Sequence, residues 1–306
     1  MKRLLLILSL ASAAYSLQGQ IMKVTSIEDL NLTSSNDMVT QAVALSPQGD
    51  YILLSSDTKK GLIKWDLATG HSQVLTNEEG TGGDVRISDD GKQIVYGQVT
   101  YAKKRRHEAV KTIDLATGKS RTLVKPTRDL QGIALDKMTV TTVTDGRIKR
   151  HHLKDDDRAT ASVRPILTKH HLKMYITRDG ATTQLAPNGT DERYIWASLS
   201  PDGNKVLYYV SGHGTFVCDV DGSNVIGMGN LTAPKWWDDN TIVGMNEVDD
   251  EYRIIASSIV ARTLDGREQV LTGDDVIATY PLPSSQSGKL VFSTPDGKVY
   301  LIQVTR

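Results

Sequence analysis

Seven histidines, one cysteine and a few clusters of carboxylates are the residues of this 306-residue chain able to do chemistry beyond packing. His151-His152 and His170-His171 stand on either side of Asp155-Asp156-Asp157, and imidazole with carboxylate is a ligand set for zinc or manganese. Neighbours on a strand point to opposite faces, so each histidine pair offers one ligand inward, taken as His151 and His171. Lys149, Arg150, Lys154, Arg158, Lys169 and Lys173 crowd the same stretch with positive charge, which opposes a cation and favours a solvated segment. Asp238-Asp239 and Asp249-Asp250-Glu251 lack the spaced carboxylate loop with glycine that a calcium site needs, and read as turn acids. No Gly-x-Ser-x-Gly elbow is present to activate a serine nucleophile. Cys218, within Phe216-Val217-Cys218-Asp219-Val220, reads as a small buried hydrophobe on a strand. No catalytic set emerges, and no cofactor is implied.

Charge excludes one class of partner. The 36 basic and 36 acidic residues balance, whereas non-specific nucleic-acid binding draws on a basic surplus. One local run, Lys103-Lys104-Arg105-Arg106-His107, is placed at the tip of a hairpin between Tyr96 and Thr112, where it would attract an anionic partner.

The elements that hold these residues follow from internal repetition. One unit is an apolar strand, a serine, a tight turn ending in glycine, and a second apolar strand. It runs through Val43–Leu54, Val85–Tyr96 and Ser198–Tyr209, with a degenerate copy from Pro234 to Val243 in which Asn240 takes the glycine position. Glycine, or asparagine after it, suits the left-handed position of such a turn. A second unit is a strand ending in aspartate and a turn closed by glycine, as in Ile63–Gly70 and Thr112–Gly118, with weaker copies ending at Gly180, Gly222 and Gly266. Together they make a four-stranded antiparallel meander.

The period counts the meanders. Gly49 to Gly91 and Gly180 to Gly222 are each 42 residues apart, the length of a propeller blade. Gly91 to Gly203 spans 112 residues, which is two such periods and a surplus assigned to an insertion near residues 147–171. The expectation is an all-β, six-bladed propeller. Seven blades, with Met174 to Pro187 in a stunted extra one, are the alternative. The last blade, built on Lys289–Phe292 and Val299–Ile302, lacks an outer strand, which residues around Lys23 to Leu32 would supply to close the ring.

These repeats resemble the WD-repeat-like, TolB-type propeller family, whose blade signature is roughly Pro-x-Trp-Ser-Pro-Asp-Gly. Ser198–Gly203 and Ser46–Gly49 match its core and Pro234-Lys235-Trp236 its beginning. The domain that precedes the propeller in TolB has no counterpart in the sequence, nor does the α/β-hydrolase domain of prolyl-oligopeptidase-type enzymes. In such propellers ligands meet the central channel, lined by the first strand of each blade. The resemblance therefore implies a channel mouth formed by Gln41, Asp84, Arg86, Gln131, Trp196, Lys235 and Tyr280.

The start of the chain carries an export pattern. Lys2-Arg3 precede the apolar run Leu4 to Leu10 and the small residues Ala11-Ser12-Ala13, a charge, core and cleavage sequence typical of a secretion signal. The run is shorter than the roughly 20 residues a bilayer-spanning helix needs. Residues 1–20 are expected to be a cleaved leader, with cleavage after Ala13 or before Gln20, and residues 21–306 a single domain. The functional expectation is a monomeric, non-catalytic binding or scaffold propeller of the periplasm or cell surface, with a protein or envelope component as partner. A metal-assisted polysaccharide lyase or hydrolase is the alternative.

Overall fold

The computed structural model describes residues 20–32, 40–153, 164–178 and 180–305. The proposed leader therefore lies almost wholly outside the described residues. Among those residues there is no helix, and so none long and apolar enough to cross a membrane.

Strands fill the chain in short meanders, apart from β1 (Lys23–Asp29) at its start. Blade 1 holds β2 (Thr40–Leu45), β3 (Tyr51–Ser56), β4 (Leu62–Asp66) and β5 (Ser72–Thr76). Blade 2 holds β6 (Val85–Ile87), β7 (Gln93–Ala102), β8 (Arg105–Asp114) and β9 (Ser120–Thr127). Blade 3 has three strands among the described residues, β10 (Leu130–Asp136), β11 (Thr139–Thr144) and β12 (Arg147–His152). Blade 4 also has three, β13 (Ile166–His170), β14 (Lys173–Arg178) and β15 (Ala181–Leu185). Blade 5 comprises β16 (Tyr194–Leu199), β17 (Lys205–Val210), β18 (Gly214–Asp219) and β19 (Ile226–Gly227). Blade 6 comprises β20 (Thr232–Asp238), β21 (Thr241–Asp249), β22 (Ile254–Thr263) and β23 (Glu268–Val270). Blade 7 is β24 (Thr279–Ser284), β25 (Lys289–Ser293) and β26 (Val299–Thr305), against whose outer edge β1 pairs antiparallel.

The propeller thus has seven blades, not six. The correction has a local cause. In blades 3 and 4 the first hairpin turns without the glycine that marks blades 1, 2, 5 and 7. Lys137 (φ 50°), His171 (φ 51°) and Leu172 (φ 59°) take the left-handed conformation instead, which is uncommon for residues other than glycine. Gly91 to Gly203 therefore holds three short blade steps, and the stretch around 147–171 contains the outer strand of blade 3 and the inner strand of blade 4. The degenerate blade 6 turn also differs from expectation: Asn240 is not left-handed, and its N–H is taken by the Asp238 carboxylate at 2.8 Å.

Second strands are buried on both faces because each blade is packed between two others. Every residue of β3 is buried, for example. Apolar clusters join the blades in order. Ile52 and Leu54 of blade 1 meet Val291, Val299 and Leu301 of blade 7, and Trp237, Val243 and Ile259 of blade 6 meet Leu290, Phe292 and Ile302 of blade 7. Blades 3 and 4 are the exception: among the described residues no buried apolar cluster spans them. Their junction is threonine-rich, with Thr141, Thr142 and Thr168 buried. There the inner strands approach so closely that a Cβ on Gly132 would stand 2.5 Å from Thr168 Cγ2.

The repeated turns are closed by their own polar side chains. Ser46 Oγ donates to Asp50 at 2.6 Å and accepts the Tyr51 N–H at 3.1 Å; Ser88 and Ser200 do the same with Asp90 and Asp202. These hydroxyls are committed to the turn and are not nucleophiles in waiting.

Candidate functional site

The first strands of successive blades face the axis, and on one side of it they part to leave a cavity of about 810 Å³. Asp84, Arg86, Gln131, Trp196 and Lys235 line it; Gln41 and Tyr280 do not. Gln41 lies on β2, where its Oε1 accepts a hydrogen bond from Lys59 Nζ at 2.7 Å. Tyr280 lies on β24, half-exposed, with its backbone N–H directed at Met245 Sδ.

Backbone irregularity positions several of these side chains. Pairing of β16 and β24 with their second strands shifts register once and that of β20 twice, and within these irregular stretches Trp196 (φ 52°), Ala233 (φ 46°) and Tyr280 (φ 53°) are left-handed. A bulge of this kind bends the strand and re-aims the residues around it. Left-handed backbone at an aromatic residue is strained, and such strain concentrates at functional positions. Trp196 is held edge-on to Tyr209, ring centroids 5.3 Å apart. Gln131 Oε1 accepts the Gly146 N–H at 2.9 Å.

The cavity is rich in cations. Arg86 pairs with Asp84 beside it on blade 2, Arg164 with Asp136 at 3.2 Å, and Arg106 with Glu108. Lys169 of β13 and Lys235 of β20 also line the cavity, and neither makes a salt bridge or hydrogen bond among the described residues. Both side chains are open to solvent in the cavity yet ringed by protein. Burial, and then the nearby Arg86 guanidinium, lower the Lys169 pKa. The same two causes, with Lys169 added, bring Lys235 from 10.5 to about 8, while Asp84 opposes the shift.

The residues proposed as metal ligands are placed apart, in different blades. His151 is on the outer strand β12, with Nε2 3.1 Å from Thr142 Oγ1, and burial lowers its pKa. His171 is in the β13–β14 turn, beside His170 with ring centroids 4.0 Å apart. Among the described residues no group of three His, Cys, Asp or Glu side chains is arranged to hold a metal. Cys218 is wholly buried, and that burial pushes its thiol up to about 12.

Two hairpins reach beyond the blades. Second and third strands elsewhere are five to seven residues long, whereas β7, β8, β21 and β22 have nine or ten. At about 3.3 Å per residue the extra length carries the tips roughly 10 Å further. Both are connections between second and third strands, so both rise from the same face. Lys103 and Lys104, left-handed at φ 50° and 63°, form the tip on blade 2, and Arg105, Arg106 and His107 begin β8 beside it. The blade 6 tip carries Asp249, Asp250 and Glu251. Tyr101 is 69% exposed and Tyr252 93%, and on blade 6 Val248 and Ile255 are exposed as well. Gln98 and Val99, lower on the blade 2 hairpin, and Arg106 beside its tip also form part of the cavity wall.

No protein-family model matches the chain, and no curated protein matches it. Solved structures do. A putative TolB from Agrobacterium tumefaciens is similar with a TM-score of 0.53 at 16% identity, over 92% of this chain and 97% of that one. The fold is that of a TolB-like β-propeller. U3-55K is similar with a TM-score of 0.65 at 9% identity, covering 90% of this chain and 98% of its own. A chain of a mitotic checkpoint complex reaches 0.59 at 12% identity, covering 100% and 99%. At these identities the TolB-like likeness is one of fold, so function has to be argued from the site.

Sequence reasoning missed Lys169, because β13 was set aside with the insertion; its alternation of buried and open residues, Ile166 and Thr168 inward, is the signal that would have found it. It also missed the second long hairpin, whose acids were read only as turn residues.

Proposed function

We propose that this chain is an exported binding propeller of the cell envelope that docks a protein partner on the face carrying its two long hairpins. The observation that carries the reading is the pair of projecting tips, basic on blade 2 and acidic on blade 6, each with a tyrosine more than two-thirds exposed. Exposed aromatic side chains flanked by charge are what interface anchors are made of. Charges of opposite sign at two separated places fix the orientation of the incoming surface as well as its rate of arrival. The partner face is correspondingly bipolar, acidic where it meets blade 2 and basic where it meets blade 6. The residues expected at the channel mouth, Gln41, Asp84, Arg86, Gln131, Trp196, Lys235 and Tyr280, would serve as a second, inner contact zone, with Gln41 and Tyr280 outside the cavity itself. Export is supported by the charge and apolar pattern of residues 2–13.

Affinity capture from envelope extract tests this, with the unaltered chain compared against Tyr252→Ser and against a chain in which Lys103, Lys104, Arg105 and Arg106 are all serine. A protein captured at near one-to-one by the unaltered chain should be lost from both variants, and its capture should weaken as salt rises. Capture of the same protein by all three chains would remove the hairpins from the interface.

We also read β1 as the clasp of the ring, since it covers the outer edge of β26 with Ile27 opposite Ile302. Deleting residues 23–29 would expose that edge. The shortened chain is expected to melt several degrees lower and to aggregate; unchanged melting would remove the clasp.

A further inference from the structure

We propose that the cavity holds a small multivalent anion, a phosphate ester or a di- or tricarboxylate, between Arg86, Lys169 and Lys235. These residues come from blades 2, 4 and 6, more than sixty positions apart in the chain, and only the propeller brings them into one space. Each is on the first strand of its blade, so the backbone beneath it is fixed. One carboxylate, Asp84, faces three cations and is already engaged by Arg86, which leaves a surplus of two positive charges. The other charged residues of the nearer wall are balanced in pairs, Arg106 with Glu108 and Arg164 with Asp136. Arg150 of β12 adds a further cation at the edge of the cavity.

Gathering like charges within protein is unfavourable unless something compensates them, and the lowered pKa values of both lysines record that cost. An anion carrying two or more charges relieves it. The ligand is larger than a bare ion, because about 810 Å³ lies within the range of pockets that take small organic molecules. Trp196 offers a flat apolar surface, and Gln131 a polar side chain, to its uncharged part. Carboxylate and phosphate both suit this triad, and the experiment separates them. Arg86 and Lys235 are shared with the inner contact zone of the docking reading, but none of the three cations belongs to a hairpin tip, so changes at the tips separate the two.

Titration calorimetry on the full chain at pH 7 and constant chloride, with citrate, inorganic phosphate and glucose 6-phosphate as probes, is the test. Saturable one-to-one binding of citrate or of glucose 6-phosphate is expected, and which of the two binds assigns the anion. Lys235→Met and Lys169→Met should each weaken it at least tenfold, whereas Lys235→Arg, which keeps the charge, should stay within about threefold. Circular dichroism establishes that each variant is folded, and a chain with only Lys103 and Lys104 changed to serine, neither of which lines the cavity, should bind the anion as the unaltered chain does. Absence of saturable binding for all three probes would overturn the proposal, as would binding unaffected by both methionine variants. Binding of a glutamate-rich peptide in place of the small anions would also overturn it, and would assign the cavity to an acidic protein segment.

Discussion

Lys235 shows how one side chain registers the whole ring. The charges that act on it come from other blades. Burial first, then Arg86 of blade 2 and Lys169 of blade 4, opposed by Asp84, set its pKa at about 8 against an ordinary 10.5. Because the folded value is the lower one, the unfolded chain holds a proton there that the folded chain has released between about pH 8 and 10.5. Stability of the unliganded protein is therefore expected to rise with pH across that window. The lowered pKa values of Lys169 and Lys59 act in the same direction. Urea unfolding at pH 7, 8 and 9.5 measures the rise, and Lys235→Met should flatten it; identical slopes in the two proteins would show that Lys235 titrates normally. A bound anion reverses the preference by favouring the charged lysine, so binding near pH 8 should take up protons. Sequence types and repeat position pointed to Arg86 and Lys235. Lys169 could not be found the same way, because its blade lacks the glycine turn that aligns the others.

At the scale of elements, the turns decided what could be read. Ser-x-x-Gly and Asp-x-x-x-Gly units are legible because only certain residues close them: Gly49, Gly91 and Gly203 are all left-handed, and the Ser and Asp side chains satisfy the turn backbone themselves. Blades 3 and 4 escaped because Lys137 and the His171-Leu172 pair adopt that conformation without any compositional mark, at the expense of strain. Among the described residues the same two blades have three strands each, and threonines Thr141, Thr142, Thr168 and Thr177 are buried in them. Stability within a fold follows local burial of apolar surface. Amide hydrogens of β11 and β14 should therefore exchange faster than those of β3 and β17, which hydrogen-exchange mass spectrometry resolves; uniform protection around the ring would contradict a weak seam. By contrast Leu53→Ala, in a strand buried on both faces, should cost about 2–5 kcal/mol in an unfolding titration.

For the whole molecule, alternating short strands and a blade-length period were enough to establish an all-β propeller, and the missing turn glycines were enough to miscount it by one blade. The blade count matters to function, since a seventh blade brings β13 and Lys169 to the axis and widens the ring over which the two hairpins are spread. Blades 2 and 6 have two blades between them on one side and three on the other, so the tips stand well apart around the same face. That spacing suits a folded partner laid across the ring better than a peptide threaded into it. The face itself can be tested in the intact envelope by placing a photo-crosslinking amino acid at Tyr101, at Tyr252, and at Ala116, which is exposed in the turn at the opposite end of β8. Adducts to one and the same protein from positions 101 and 252, with none from 116, are what docking on the hairpin face requires. Adducts from 116 alone, or from none of the three, would contradict it.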